Sequence, residues 1–176
     1  LDHPAAWPDI KGLVFRGEDD RIVDNGIAPA TENLDALGMP ARHLLPVGDY
    51  TSLLGRDNVI TTMFTSRGCP YRCTFCDRPY SPVLSGFRWR SASHVADEME
   101  RCLSLGIKEA FIYDDTFTVF KENVKELCSI LISEKIDISW VCYARVDYID
   151  EELLRLMKEA GCHQICYGIE SASEEI

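Results

Sequence analysis

The sequence predicts an α/β fold built on a parallel sheet. From Val59 onward, short β-branched and apolar runs alternate with segments of 3.6-residue apolar periodicity. Polar residues collect where each apolar run ends. Four such strands interleaved with three helices run parallel, because each crossover helix returns the chain to the same end of the sheet. Strands this short, without clean alternation, suit a sheet covered on both faces or one curled into a barrel.

The elements follow in order. Val59-Ile60-Thr61-Thr62-Met63-Phe64 reads as the first buried strand. Ser91 or Ser93 can cap a helix whose apolar face is Val95, Met99, Cys102 and Leu103, with Gly106 ending it. Ala110-Phe111-Ile112-Tyr113 is the second strand and runs into Asp114-Asp115. Phe120, Val124, Leu127, Cys128 and Leu131 mark a second helix. Ser139 to Ala144 is the third strand, after which Asp150 caps a helix bearing Leu153, Leu154, Met157 and Ala160 and closed by Gly161. Gln164 to Ile169 is the fourth strand. In such sheets chemistry gathers at the C-terminal strand ends. Those ends here carry a cysteine loop, Asp114-Asp115, Arg145 with Asp147, and Glu170-Ser171.

Residues 1 to 58 read differently. Gly12-Leu13-Val14-Phe15 and Arg21-Ile22-Val23 flank the turn-like Gly17-Glu18-Asp19-Asp20, which predicts a small hairpin. Pro29, Gly38, Pro40, Pro46 and Gly48 then punctuate the chain too densely for a long helix or central strand. This region is expected to be a linker leading from an upstream domain, with residues 59–176 forming the α/β unit.

Composition narrows the function. The 176 residues are 46% hydrophobic, and 18 Lys+Arg against 29 Asp+Glu give a net charge of −11. This excludes disorder and collagen, and no apolar run approaches the roughly 18 residues of a membrane span. The acidic balance argues against a nucleic-acid partner. The N-terminus has neither a signal peptide nor an initiator Met, so the chain is expected to be part of a longer cytoplasmic protein.

The chain has eight cysteines. Cys102, Cys128, Cys142, Cys162 and Cys166 fall in or beside apolar-periodic segments and read as small buried hydrophobes that do not converge. Cys69, Cys73 and Cys76 instead crowd onto one Gly/Pro-bearing loop. Thiolates are the usual ligands of an iron–sulfur cluster, normally four of them, so three without a fourth leave one iron open to an exogenous ligand. Arg67, Arg72 and Arg78 place positive charge nearby, and Phe75 can stack on a flat group or exclude water. The competing reading is zinc held by the three thiols and one histidine, but His94 lies 18 positions beyond Cys76 and His43 and His163 are further off. A non-catalytic iron–sulfur module would be favoured by a fourth nearby cysteine, and none is present.

The loop Cys69-Pro-Tyr-Arg-Cys73-Thr-Phe75-Cys76 resembles the cluster motif of the radical S-adenosylmethionine (SAM) superfamily. Together with Tyr113-Asp-Asp-Thr-Phe117 and Tyr167-Gly-Ile-Glu-Ser171, it is similar to a branch that carries a cobalamin-binding domain before the barrel. The resemblance implies a partial TIM-like barrel of about four βα units, preceded by an irregular linker with a small hairpin. It implies that Cys69, Cys73 and Cys76 hold a [4Fe–4S] cluster whose fourth iron is chelated by SAM. One-electron reduction would then yield methionine and a 5′-deoxyadenosyl radical. Phe75 matches the aromatic along the adenine, and Asp114 and Asp115 occupy the place of the methionine-binding motif. Glu170 and Ser171 are implied as contacts to ribose or the SAM carboxylate region, and Arg145 as a contact to the carboxylate. Arg145 has a competing task as ion-pair partner of Asp147. The implied partners are a small-molecule substrate and a reductant such as flavodoxin or ferredoxin, with cobalamin bound outside this chain. Methyl transfer or oxidative cyclisation is the implied reaction, and a methylthiotransferase-like activity is the alternative.

Overall fold

A computed structural model describes residues 3–52, 55, 59–77, 86–173 and 175. The predicted hairpin is present as β1 (Val14–Arg16) and β2 (Ile22–Asp24), antiparallel with Phe15 opposite Val23. Gly17 N–H donates to the Arg21 carbonyl at 2.8 Å, closing the turn. The Asn25 side chain ties the hairpin to a 3₁₀ turn at Pro4–Asp9 by donating to the carbonyls of Trp7 and Ile10.

The main sheet has four parallel strands in the order β3 (Ile60–Met63), β6 (Glu109–Ile112), β7 (Ser139–Ala144) and β8 (Cys162–Tyr167). Each strand of this sheet lies beside the next one that joins it, and the connecting helices stack on one face. These are α1 (Ala92–Ser104), α2 (Lys121–Ser133) and α3 (Glu151–Glu159), α1 beside α2 and α2 beside α3. Side chains alternate across each strand. Met63, Ala110, Ile112, Trp140 and Cys142 point into the core, where they meet Val95, Met99, Leu127, Leu131, Leu153 and Met157. Each large side chain buried there contributes about 1.5–3 kcal/mol relative to exposure.

The helix signals behave as predicted where they rest on hydrogen bonds. Ser91 caps α1 by accepting from the His94 N–H, and Asp150 caps α3 by accepting from the Leu153 N–H at 2.9 Å. The last strand differs from expectation: it begins at Cys162 rather than Gln164. Gly161, at φ +97°, turns the chain out of α3 so abruptly that its carbonyl already accepts from the Trp140 N–H. A register shift between Trp140 and Val141 absorbs the extra residue.

Two features were not anticipated. The two-residue strands β4 (Ser66–Arg67) and β5 (Arg88–Trp89) pair antiparallel, Ser66 opposite Trp89 and Arg67 opposite Arg88. The segment preceding β3 is also packed down onto the sheet. Leu34 is buried, and Arg42 reaches Glu98 of α1 at 2.5 Å while donating to Thr61 Oγ1 and the Thr62 carbonyl at 2.8 Å each. Arg90 pairs with the other oxygen of the same carboxylate. Asp35 accepts from the Ser91 N–H at 3.0 Å, which adds a second tie from this segment to the start of α1.

Candidate cofactor site

The site begins where β3 ends. The chain bends at Phe64-Thr65 into β4, and Gly68, at φ +79°, turns it directly into Cys69. Only a residue without a Cβ adopts that conformation at little cost. The β4–β5 pairing closes the base of this excursion, reinforced by the Arg90 N–H donating to the Thr65 carbonyl at 2.8 Å. The cysteine loop is therefore clasped at its root on the C-terminal edge of the sheet. Within it the Cys76 N–H donates to the Cys73 carbonyl at 3.1 Å, a tight turn that presents Phe75 with 70% of its surface exposed. Cys69, Cys73 and Cys76 are free thiols, each partly exposed. Among the described residues no three Cys, His, Asp or Glu side chains are grouped as ready-made metal ligands. The donor chemistry of the three thiols fits an iron–sulfur cluster.

Asp114, at the end of β6, is held by the corner that follows β3. It is 2% exposed, and its carboxylate accepts from the Thr65 N–H at 2.7 Å, the Thr65 hydroxyl at 2.5 Å and the Ser66 hydroxyl at 2.7 Å. It fastens the β3–β4 corner. Burial pushes its carboxyl above the ordinary value, against the pull of these hydrogen bonds. Asp115 beside it is exposed and lies at the same strand end.

Arg145 follows β7 and is likewise occupied. Nε and Nη2 donate to the two oxygens of Asp147 at 3.0 and 2.8 Å, the ion pair weighed as the alternative to a carboxylate contact. The hydrogen bond from Arg145 holds the Asp147 carboxyl below the usual carboxylate range. The same guanidinium stacks 4.2 Å from the Tyr71 ring, and Nη1 lies 3.9 Å from the Cys73 sulfur. Of the arginines expected near the thiols, Arg67 lies over the Phe64 ring at 4.6 Å, Arg72 is exposed, and Arg78 is outside the described residues.

Glu170 and Ser171 follow β8 in a compact bend. Glu170 has φ +60°, the Ser171 N–H donates to the Ile169 carbonyl, and Ser171 Oγ accepts from the Ser173 N–H. An aromatic wall stands on the sheet face opposite the helices: Phe111 packs against Tyr113 and Tyr143 at 5.1 and 5.3 Å, and Tyr113 meets Tyr143 edge-on. The other cysteines are packing residues as expected, except that two of them do meet. The neighbouring Cys162 thiol, together with burial, raises the Cys142 thiol, while Cys162 Sγ donates to the Gln164 carbonyl at 3.5 Å. Burial pushes the Cys128 thiol up to about 12, which makes it inert at neutral pH.

Fold and site together define a parallel α/β unit with a thiol loop at the C-terminal edge of its sheet. The sequence profile of the Radical SAM superfamily matches residues 63–176, and the chain belongs to that superfamily. The four-stranded sheet is thus part of a TIM-like barrel of the radical SAM type. The chain is 36% identical over 171 residues to an uncharacterized methyltransferase of Pyrococcus horikoshii, covering 95% of this chain and 36% of that protein. It is 28% identical over 168 residues to the anaerobic magnesium-protoporphyrin IX monomethyl ester cyclase of Rubrivivax gelatinosus, covering 94% and 30%. Among solved structures it superposes on the radical SAM methyltransferase TsrM of Kitasatospora setae, solved with tryptophan and a SAM analogue, with a TM-score of 0.65. That match is 21% identical and covers 96% of this chain and 34% of TsrM. The chain spans about a third of the length of the curated relatives it matches. Among the described residues no helix is long and apolar enough to cross a membrane.

Proposed function

We propose that this chain carries the cofactor-holding part of a radical SAM enzyme whose reaction is a cobalamin-dependent methyl transfer or an oxidative cyclisation of a small molecule. The observation that carries the reading is the clasped loop of three thiols at the C-terminal edge of a parallel sheet. Cys69, Cys73 and Cys76 would hold a [4Fe–4S] cluster, which when bound supplies the electron that cleaves SAM to methionine and a 5′-deoxyadenosyl radical. Phe75, exposed on the turn between the last two thiols, offers a flat apolar surface to the adenine. Asp115, Glu170 and Ser171 are strand-end polar groups whose chemistry suits the ammonium and ribose of SAM, while Asp114 and Arg145 hold the loop. Residues 1–58 act as the linker from a domain that binds cobalamin. Relatives named as methyltransferase and cyclase support the reaction class. The net charge of −11 supports a small-molecule substrate over nucleic acid. The free cysteines fit a reducing cytoplasmic setting, and the radical SAM chemistry calls for a one-electron donor such as flavodoxin or ferredoxin.

Anaerobic reconstitution with iron and sulfide, followed by reduction and EPR with and without SAM, tests this. The expected result is a cubane signal that SAM perturbs and that Cys73→Ala abolishes. Tetrahedral zinc with no cluster would overturn the reading.

A further inference from the structure

We propose that Arg145 is a positioning residue that fastens the cysteine loop to the end of β7 and holds a cationic donor against the Cys73 sulfur. The inference rests on the reading above that Cys73 is a cluster ligand, and it gives Arg145 a role separate from binding SAM.

The contacts of this one side chain carry it. Asp147 takes Nε and Nη2 in a two-pronged pairing that fixes the plane of the guanidinium. That plane stacks on Tyr71, a residue of the cysteine loop, at 4.2 Å. Tyr71 also packs edge-on against Tyr148 at 5.4 Å, and the Tyr148 N–H donates to the Arg145 carbonyl at 3.2 Å. The turn from Arg145 to Tyr148 is therefore a socket that receives the loop by way of Tyr71. With the plane fixed, Nη1 is left directed at Cys73 Sγ, 3.9 Å away. Lysine would bring the charge without the flat stack or the fork, so arginine is specifically required. A cationic N–H donor at a ligand sulfur withdraws electron density from it, which makes a cluster easier to reduce.

The test uses Arg145→Met and Arg145→Lys in the whole protein, with Arg155→Met on the surface of α3 as a control. In metal-free protein, hydrogen exchange across residues 69–77 is expected to quicken about tenfold in Arg145→Met, the equivalent of one charge-assisted bond, with β6 and β7 unchanged. After reconstitution, redox titration followed by EPR should show a lower midpoint potential in Arg145→Met, restored only in part by Arg145→Lys. Loop exchange equal to that of the unaltered protein would overturn the clamp, and an unchanged potential would overturn the donor role. Should Arg145→Met also loosen β6 and β7, Asp147→Asn decides: faster exchange confined to the loop supports the clamp, and no change overturns it. An unaltered protein that assembles no cluster would overturn the proposed function instead, and the exchange measurement still decides the clamp.

Discussion

The Asp114 carboxylate accepts from both the backbone N–H and the hydroxyl of Thr65, at 2.7 and 2.5 Å, and so joins the end of β6 to the corner that launches the cysteine loop. Removing it strands buried donors. Asp114→Ala is expected to cost about 2–3 kcal/mol in urea unfolding. Asp114→Asn keeps one acceptor and a similar shape and should cost less.

The same residue sets a pH dependence. Burial raises its folded-state carboxyl above the ordinary 3.8, so the folded form holds its proton more tightly than the unfolded chain does. Stability should therefore rise as pH falls through the raised value towards 3.8 and level off below it. The unfolding free energy of the unaltered protein minus that of Asp114→Asn isolates this term from the other carboxylates. A difference that is flat with pH, or that falls on acidification, would contradict it.

Glu98 sits between Arg42 and Arg90, its side chain 2% exposed. Taking away Arg42 leaves that carboxylate half-compensated and frees Thr61 Oγ1 and the Thr62 carbonyl. Arg42→Met should cost about 3 kcal/mol, near the lower end for a broken buried pair because Arg90 remains. Hydrogen exchange should show residues 34–45 released from α1 while β6 to β8 stay protected.

Gly161 combines φ +97° with a carbonyl neighbour, Ile138, that any Cβ would strike. Gly161→Ala is expected to destabilise by at least about 2 kcal/mol, and thermal unfolding measures it. Replacing Gly106, also at positive φ but facing open space, should cost less.

Trp140 is fully buried, and its Nε1–H donates to the Ala160 carbonyl at 2.8 Å. Trp140→Phe should cost about 1–3 kcal/mol, since it leaves that carbonyl unpaired and removes indole volume. Denaturant unfolding with an unchanged m-value checks it.

These positions show what the sequence made legible. The strand Ser139–Ala144 and the caps Ser91 and Asp150 were readable because periodicity and capping are local signals. The pairing of Ser66–Arg67 with Arg88–Trp89 was not, because two residues carry no period. Arg42, Arg90 and Glu98 look like solvated charges in isolation, and only the fold brings them to one carboxylate. Asp114 and Asp115 are indistinguishable as neighbours in sequence. The alternation of the strand end buries one and exposes the other. Arg145 and Asp147 were recognisable as a pair at close spacing, whereas the stack on Tyr71, 74 positions earlier in the chain, left no local mark.

The clasp formed by β4 and β5 separates two events in the life of this protein. Among the described residues, the apolar interior that stabilises the sheet and its helices draws nothing from positions 68–87. The scaffold's packing is therefore expected to be indifferent to whether the thiol loop is filled. With the root of the loop already tethered by β4 and β5, bringing three sulfurs onto one cluster costs less chain entropy than in a free segment. Oxidative loss of the inorganic guest would then leave an intact, refillable vessel rather than an unravelled chain.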